Sequence, residues 1–207
     1  KSNSTGTKNV ALGAAALDAS TTANHCTAIG YNALTTSNAN NNTAVGNKAS
    51  EDVTTGSNNT SCGHIALTSN TSGAYNTAVG SEALDAITTG NNCTAVGYLA
   101  LSQCTGNDNT AIGYNALGGV TSGINNVGVG LNAGLDVVTN VNCICIGHNT
   151  QATSTSVQNE ITLGNSSIAS FRCAQTSITS SSDGRDKTDI IDIPDGLNFI
   201  NKLRPVK

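Results

Sequence analysis

The chain has few of the residues that build ordinary enzyme cores. Its 207 residues include no Trp, no Met, only 3% aromatic residues and only 11% charged residues. An average enzyme domain contains more aromatic side chains, and a disordered chain carries more charge. The composition therefore argues against both classes.

Other absences argue against particular partners and against a membrane-spanning chain. The formal net charge is -4 and no basic stripe is present, which argues against a nucleic-acid partner. No apolar run approaches membrane-spanning length, so we expect no membrane insertion. No basic and apolar signal segment precedes the first repeat, and we expect the chain to be part of a longer protein.

The seven cysteines include no CxxC pair. Cys143 and Cys145 lack the second half of a zinc site, so we expect no metal and no cofactor. Most of the cysteines occupy repeat columns, and we interpret them as small apolar side chains that pack within the repeat. Free thiols suit folding in a reducing cytosol.

A short repeat dominates what is present. Its glycines recur at steps of 17 or 16 residues, at Gly13, Gly30, Gly46, Gly63, Gly80, Gly97, Gly113, Gly130, Gly147 and Gly164. A period this short and regular is typical of a solenoid, in which one coil cannot bury its apolar side alone. The pattern predicts a stack of about ten coils.

The residues before each glycine alternate with a period of two. In the unit Thr27-Ala28-Ile29, β-branched residues flank a small one, and most units repeat this arrangement. Such alternation predicts a short strand, with the β-branched columns in the core and the small column against a close neighbour. An Ala-Leu pair after the glycine, as in Ala33-Leu34, predicts a return strand. The fold class predicted is all-β, a parallel β-roll or β-solenoid of 16–17-residue coils.

Three other patterns resemble functional sites, but each has a simpler explanation. Gly128-Val129-Gly130-Leu131-Asn132-Ala133 matches a dinucleotide-binding fingerprint, but it is one repeat unit with no helix predicted after it. The threonine column could form an ice-binding array, but it alternates with Val or Ile on a face expected to be buried. Isolated acids such as Glu51 and Asp52 lie at predicted turns and do not form the paired carboxylates of a glycosidase.

The composition changes near the C-terminus, where ten of the 22 charged residues follow Ser182. We therefore predict a β-roll over 1–168, a neck of connecting strands over 169–182 and a further piece over 183–207. The motif Ser182-Asp183-Gly184-Arg185-Asp186-Lys187 spans the start of the last piece, which also contains Leu203-Arg204-Pro205-Val206. It resembles the opening of the endosialidase-type intramolecular chaperone domain of phage tail fibres and tailspikes.

That resemblance implies a short α-containing chaperone fragment that drives trimerisation and folding. It also implies self-cleavage, with Ser182 as the nucleophile, Lys187 as its base and Asp183 following the scissile bond. A lysine can act as a base only where desolvation or neighbouring charge lowers its pKa. The expected chemistry is a single-turnover autoproteolysis, and no external substrate is expected.

The Asn-Thr-Ala-Val-Gly units resemble those of trimeric autotransporter adhesin heads. Both resemblances imply a parallel homotrimer, and close approach of three chains would suit the small column. The residues that we expect at the trimer interface on this basis are Ala28, Ala44, Ala78, Ala95 and Ala111.

The functional hypothesis is a trimeric viral fibre segment that mediates host attachment from the virion surface after folding in the host cytosol. Tyr31, Tyr98 and Tyr114 share one repeat column and are the candidates for contact with a host-cell receptor such as a glycan. A bacterial trimeric surface adhesin or extracellular fibre is one alternative. The non-catalytic part of a polysaccharide-degrading tailspike is the other.

Overall fold

The computed structural model describes residues 5–170 and residue 172, and the chain divides into two units, 1–168 and 169–207. The first unit is a parallel β-solenoid. Its strands, each of three residues, are β1 (Val10–Leu12), β2 (Thr27–Ile29), β3 (Thr43–Val45), β4 (Thr60–Cys62), β5 (Thr77–Val79), β6 (Thr94–Val96), β7 (Thr110–Ile112), β8 (Val127–Val129), β9 (Ile144–Ile146) and β10 (Ile161–Leu163).

The strands form one sheet in which each strand pairs only with its neighbours in sequence. The register is uniform, so that Thr77 pairs with Thr94, Ala78 with Ala95 and Val79 with Val96. Each repeat position therefore becomes a straight column along the roll. The predicted coil length and all-β solenoid architecture are confirmed.

The inner face of the sheet is the small column, and this reverses the sequence prediction. Ala28, Ala44, Ala78, Ala95 and Ala111 are fully buried within their own chain. A β-carbon built at Gly128, in the same column, would lie 2.6 Å from Cγ of Leu117, which shows that the return segment fills the space opposite. The roll is so thin that only small residues fit across from these leucines.

The return segment is also not the predicted strand. Asn32 and Leu34 have φ values of 55° and 49°, in the left-handed region, and equivalent residues repeat these values in most coils. The Asn32 N–H donates to the carbonyl of Ala14 in the preceding coil at 3.0 Å, and the Leu34 N–H donates to Ala49 in the following coil at 3.1 Å. Left-handed backbone costs about 1–2 kcal/mol per residue. Inter-coil hydrogen bonds and leucine burial offset that cost.

The repeat glycine is required by the close stacking of coils. Gly80 has a φ of +132°, and a β-carbon there would lie 2.5 Å from the carbonyl oxygen of Gly97 in the next coil. A side chain at this position would meet rigid backbone, so the glycine column permits the sharp turn that ends each strand.

The apolar core is divided once along the roll. One cluster of buried residues runs from Ala16 to Val53, and the other from Ala66 to Ala152. Between them, Ser50 replaces the usual leucine and Ser61 replaces the usual alanine. The Ser50 hydroxyl donates to Oγ of Ser61 at 2.8 Å in the buried interior. A polar pair therefore interrupts the apolar stack between the third and fourth coils.

Candidate functional site

The outer face of the sheet is made by the two β-branched columns. Val79, Val96, Ile112 and Ile146 are 37–45% exposed, and the threonines beside them are mostly half-buried. The register aligns threonine with threonine and aliphatic residue with aliphatic residue from β2 to β7. In β4 the aliphatic residue of this column is replaced by Cys62, which is exposed. The face carries no charged residue.

This arrangement corrects the predicted interface residues. A side chain that is buried by its own chain cannot contact another copy, so the five alanines assigned to a trimer interface serve the interior of the coil. The side chains available to a partner are their neighbours one position away on each strand. The trimer itself stays a prediction.

The tyrosine column lies on the surface beyond the strands. Tyr31, Tyr98 and Tyr114 are 52%, 43% and 50% exposed. The structure brings two of them together, since the ring centroids of Tyr98 and Tyr114 lie 5.6 Å apart at an interplanar angle of 47°. Tyr31 lies several coils away. The column provides one exposed aromatic pair, and its contact with a receptor stays a prediction.

A buried asparagine ladder runs along the inside of the roll and was missed in the sequence. Asn76 is fully buried, and its Oδ1 accepts the Cys93 N–H at 2.9 Å while its Nδ2 donates to the Gly90 carbonyl at 2.8 Å. The same pair of contacts recurs at Asn59, which is bonded to the Asn76 N–H and to the Gly73 carbonyl. The sequence feature that could have predicted this ladder is the asparagine that directly precedes most of the Thr-Ala-Val units.

Three cysteines replace asparagine in this ladder. They are Cys26, Cys93 and Cys143, and each thiol donates to a turn carbonyl as the amide would, at 3.3, 3.3 and 3.5 Å. Burial raises the pKa of Cys26 above its ordinary value. A cysteine thus keeps the donor of the ladder but lacks the Oδ1 acceptor.

The ladder ends at Glu160, the equivalent position in the last coil. Its Oε1 accepts the Thr153 N–H at 2.9 Å, and its carboxylate also accepts bonds from the Thr153 and Thr162 hydroxyls. The Thr153 hydroxyl is the main cause that lowers the pKa of Glu160 below its usual range. Asp85 shows the opposite effect, because burial raises the pKa of its carboxyl.

The remaining sequence candidates form no reaction centre in the part of the chain that is described. The segment from Gly128 to Ala133 is the end of β8 followed by turns, without the helix that a dinucleotide fingerprint requires. Across residues 5–170 and 172, no group of three or more His, Cys, Asp or Glu side chains could hold a metal ion. Ser182, Asp183 and Lys187 lie outside the described residues, and their proposed self-cleavage stays a prediction.

A shallow cavity of about 460 Å³ lies at the last coil. Its lining is polar and uncharged, and comprises Asn149, Gln151, Thr162, Gly164, Asn165 and Ser166. Within the described residues, no helix is long and apolar enough to cross a membrane. Comparison of the chain with protein-family models, with curated proteins and with solved structures found no match.

Proposed function

We propose that this chain is a segment of a homotrimeric fibre whose parallel copies pack through the outer face of the sheet. The observation that carries the proposal is the uncharged, partly exposed array of two side-chain columns that runs along all ten strands, one of them threonine from β2 to β7 and the other mostly aliphatic. With about 4.8 Å between strands and about 6.6 Å between the two columns, the array covers on the order of 300–500 Å². The largest exposed patch on a monomeric protein is commonly of this size and is often functional.

The absence of charge from this face favours a second copy of the same chain over other occupants. Two copies in the same orientation would present identical columns to each other, so threonine hydroxyls and aliphatic groups could continue in register across the interface. Burial of Val96 and Ile112 from three chains would add an apolar centre that the thin single roll lacks.

The trimer would serve attachment to a host cell from the surface of a virion. A threefold fibre presents every surface site three times, and effective concentration then multiplies modest affinities. The exposed Tyr98–Tyr114 pair, with Tyr31, is the candidate contact for a host receptor. The chaperone-like segment after Ser182 would bring the three chains together.

The test is the molar mass of the full chain by light scattering, compared with two variants. Val96→Lys/Ile112→Lys places charge on the outer face, and Thr88→Lys/Thr89→Lys places the same charge on an exposed turn. We expect a trimer for the parent and for the turn variant, and a folded monomer by circular dichroism for the face variant. A monomeric parent would refute the trimer, and three trimers would refute this interface.

One observation favours a second candidate function for the same face. The threonine column was expected to be buried, but it lies on the outer side of the sheet with a regular spacing of about 4.8 Å. A regular hydroxyl and methyl array of this kind is what an ice-binding surface requires. A monomeric parent with thermal hysteresis that the face variant loses would favour this candidate over the fibre.

A further inference from the structure

Two cysteine side chains meet inside the sixth coil. Cys93 and Cys104 are both fully buried. The Cys93 thiol donates to the carbonyl oxygen of Gly106 at 3.3 Å, and the Cys104 sulfur lies 3.6 Å from the same oxygen. They form a thiol pair that shares one acceptor.

The pair arises from two repeat columns that face each other. Cys93 belongs to the asparagine ladder, and Cys104 belongs to the column that follows it by eleven residues. The ladder amide of the next coil contacts this second column, since Nδ2 of Asn109 lies 3.4 Å from the Cys104 sulfur. The equivalent contact at the preceding ladder cysteine, Cys26, joins Asn42 of the following coil to the Ser37 hydroxyl at 3.5 Å. Within the described residues, only the sixth coil has sulfur in both columns.

We propose that Cys93 and Cys104 form an intramolecular disulfide by exchange with a low-molecular-weight disulfide such as oxidised glutathione. Local opening of the coil admits the oxidant. The thiolate of one cysteine attacks a glutathione sulfur, which forms a mixed disulfide and releases one glutathione thiolate. The second cysteine loses its proton to solvent and attacks the protein sulfur of that mixed disulfide, which closes the Cys93–Cys104 bond and releases the second glutathione. The pair is thereby oxidised by two electrons and the glutathione disulfide is reduced.

The neighbouring Cys104 thiol and burial raise the pKa of the Cys93 thiol. The pair therefore reacts in the opened coil, where either thiol can make the first attack and the other resolves the mixed disulfide. The bond would close a short loop after the protein leaves the reducing compartment in which it folds. A staple of this kind constrains the unfolded chain.

The test uses the reduced full chain in glutathione buffers of increasing oxidised fraction. Free thiols are alkylated, and the protein is analysed by intact mass and by peptide mapping under non-reducing conditions. We expect two fewer alkylated thiols, a linked peptide pair that contains Cys93 and Cys104, and a rise in melting temperature on the order of 5 °C. Cys93→Ser and Cys104→Ser should each abolish all three effects. A protein that keeps both thiols alkylatable, or that links them to other cysteines, would overturn the proposal.

The fold supplies a matched control at Cys26. Its partner column contains Ser37, so Ser37→Cys should create a second thiol pair in the same geometry. We expect this variant to gain a second linkage, to Cys26, under the same buffers. Cys143 and Cys145, which lie two residues apart on one stretch of chain, should stay alkylatable. Absence of the linkage both in the parent and in Ser37→Cys would overturn the proposal.

Discussion

Replacement of one ladder asparagine should measure how much the buried amides contribute to the roll. Asn76 is fully buried, and its amide makes two bonds, one from the Cys93 N–H and one to the Gly90 carbonyl. In Asn76→Ala both backbone groups lose their partners in a dry interior. Each such loss costs about 1–3 kcal/mol, so we expect the free energy of unfolding to fall by about 2–6 kcal/mol.

A second variant separates the donor from the acceptor. Asn76→Cys places at this site the residue that occupies the next ladder position, where the Cys93 thiol donates to Gly106. The thiol can satisfy Gly90 but cannot accept from the Cys93 N–H. The expected loss is therefore about 1–3 kcal/mol, the cost of one unpaired group.

The measurement is urea unfolding followed by circular dichroism. Ser72→Ala, on an exposed turn, is the control and should change stability by no more than about 0.5 kcal/mol. The expected order of stability is parent, then Asn76→Cys, then Asn76→Ala. Equal losses in the two ladder variants would refute the separate contributions of the two bonds, and a loss below about 1 kcal/mol in Asn76→Ala would refute the ladder as a stabilising element.

Two further predictions concern the turn and the end of the ladder. Gly80→Ala places a methyl group against the carbonyl of Gly97 at a φ of +132° and should destabilise the roll by at least about 2 kcal/mol in the same urea assay, whereas Ser81→Ala should be close to neutral. The Glu160 pKa is lowered in the folded state, so its stabilising bonds are present above the unfolded pKa and are lost as the pH falls through the folded pKa. The Thr153 amide resonance should titrate in that acidic range by NMR, and Glu160→Gln should remove the titration; a Thr153 shift that is unchanged between the two proteins would contradict the assignment.

Periodicity predicted the coils because the glycine column has a steric cause that any repeat of this length must satisfy. Gly80 and its equivalents lie at the turn that ends each strand, and the units equivalent to Thr77-Ala78-Val79 form the strands. Period-two alternation shows which residues share a face, but it does not show which face is inside. Ala78 lies inside because the leucines of the return segments occupy the interior and leave room only for a small side chain. That constraint comes from packing across the whole coil, and the strand pattern alone does not contain it.

The return segment and the ladder were missed for different reasons. Leu34 was expected in a return strand. A left-handed φ at leucine has no sequence signal, because the inter-coil hydrogen bonds and the leucine burial that offset its cost exist only in the stacked coils. The residue type of Asn76 gives no signal of burial, since asparagine is common in turns. Its fixed position before each strand was the available clue, because a turn asparagine would not need to repeat so strictly.

The serine pair between the third and fourth coils has a consequence for how the roll behaves as a linear array. Each coil contacts only its neighbours, so cooperativity passes from one coil to the next through the interfaces between them. At Ser50 and Ser61 that interface contains a hydroxyl pair in place of an alanine and a leucine. We expect this coupling to be weaker than that between the leucine-filled coils. The first three coils would then melt as a separate block while the coils from Ala66 onward stay folded, and the roll would have a breakpoint at this interface.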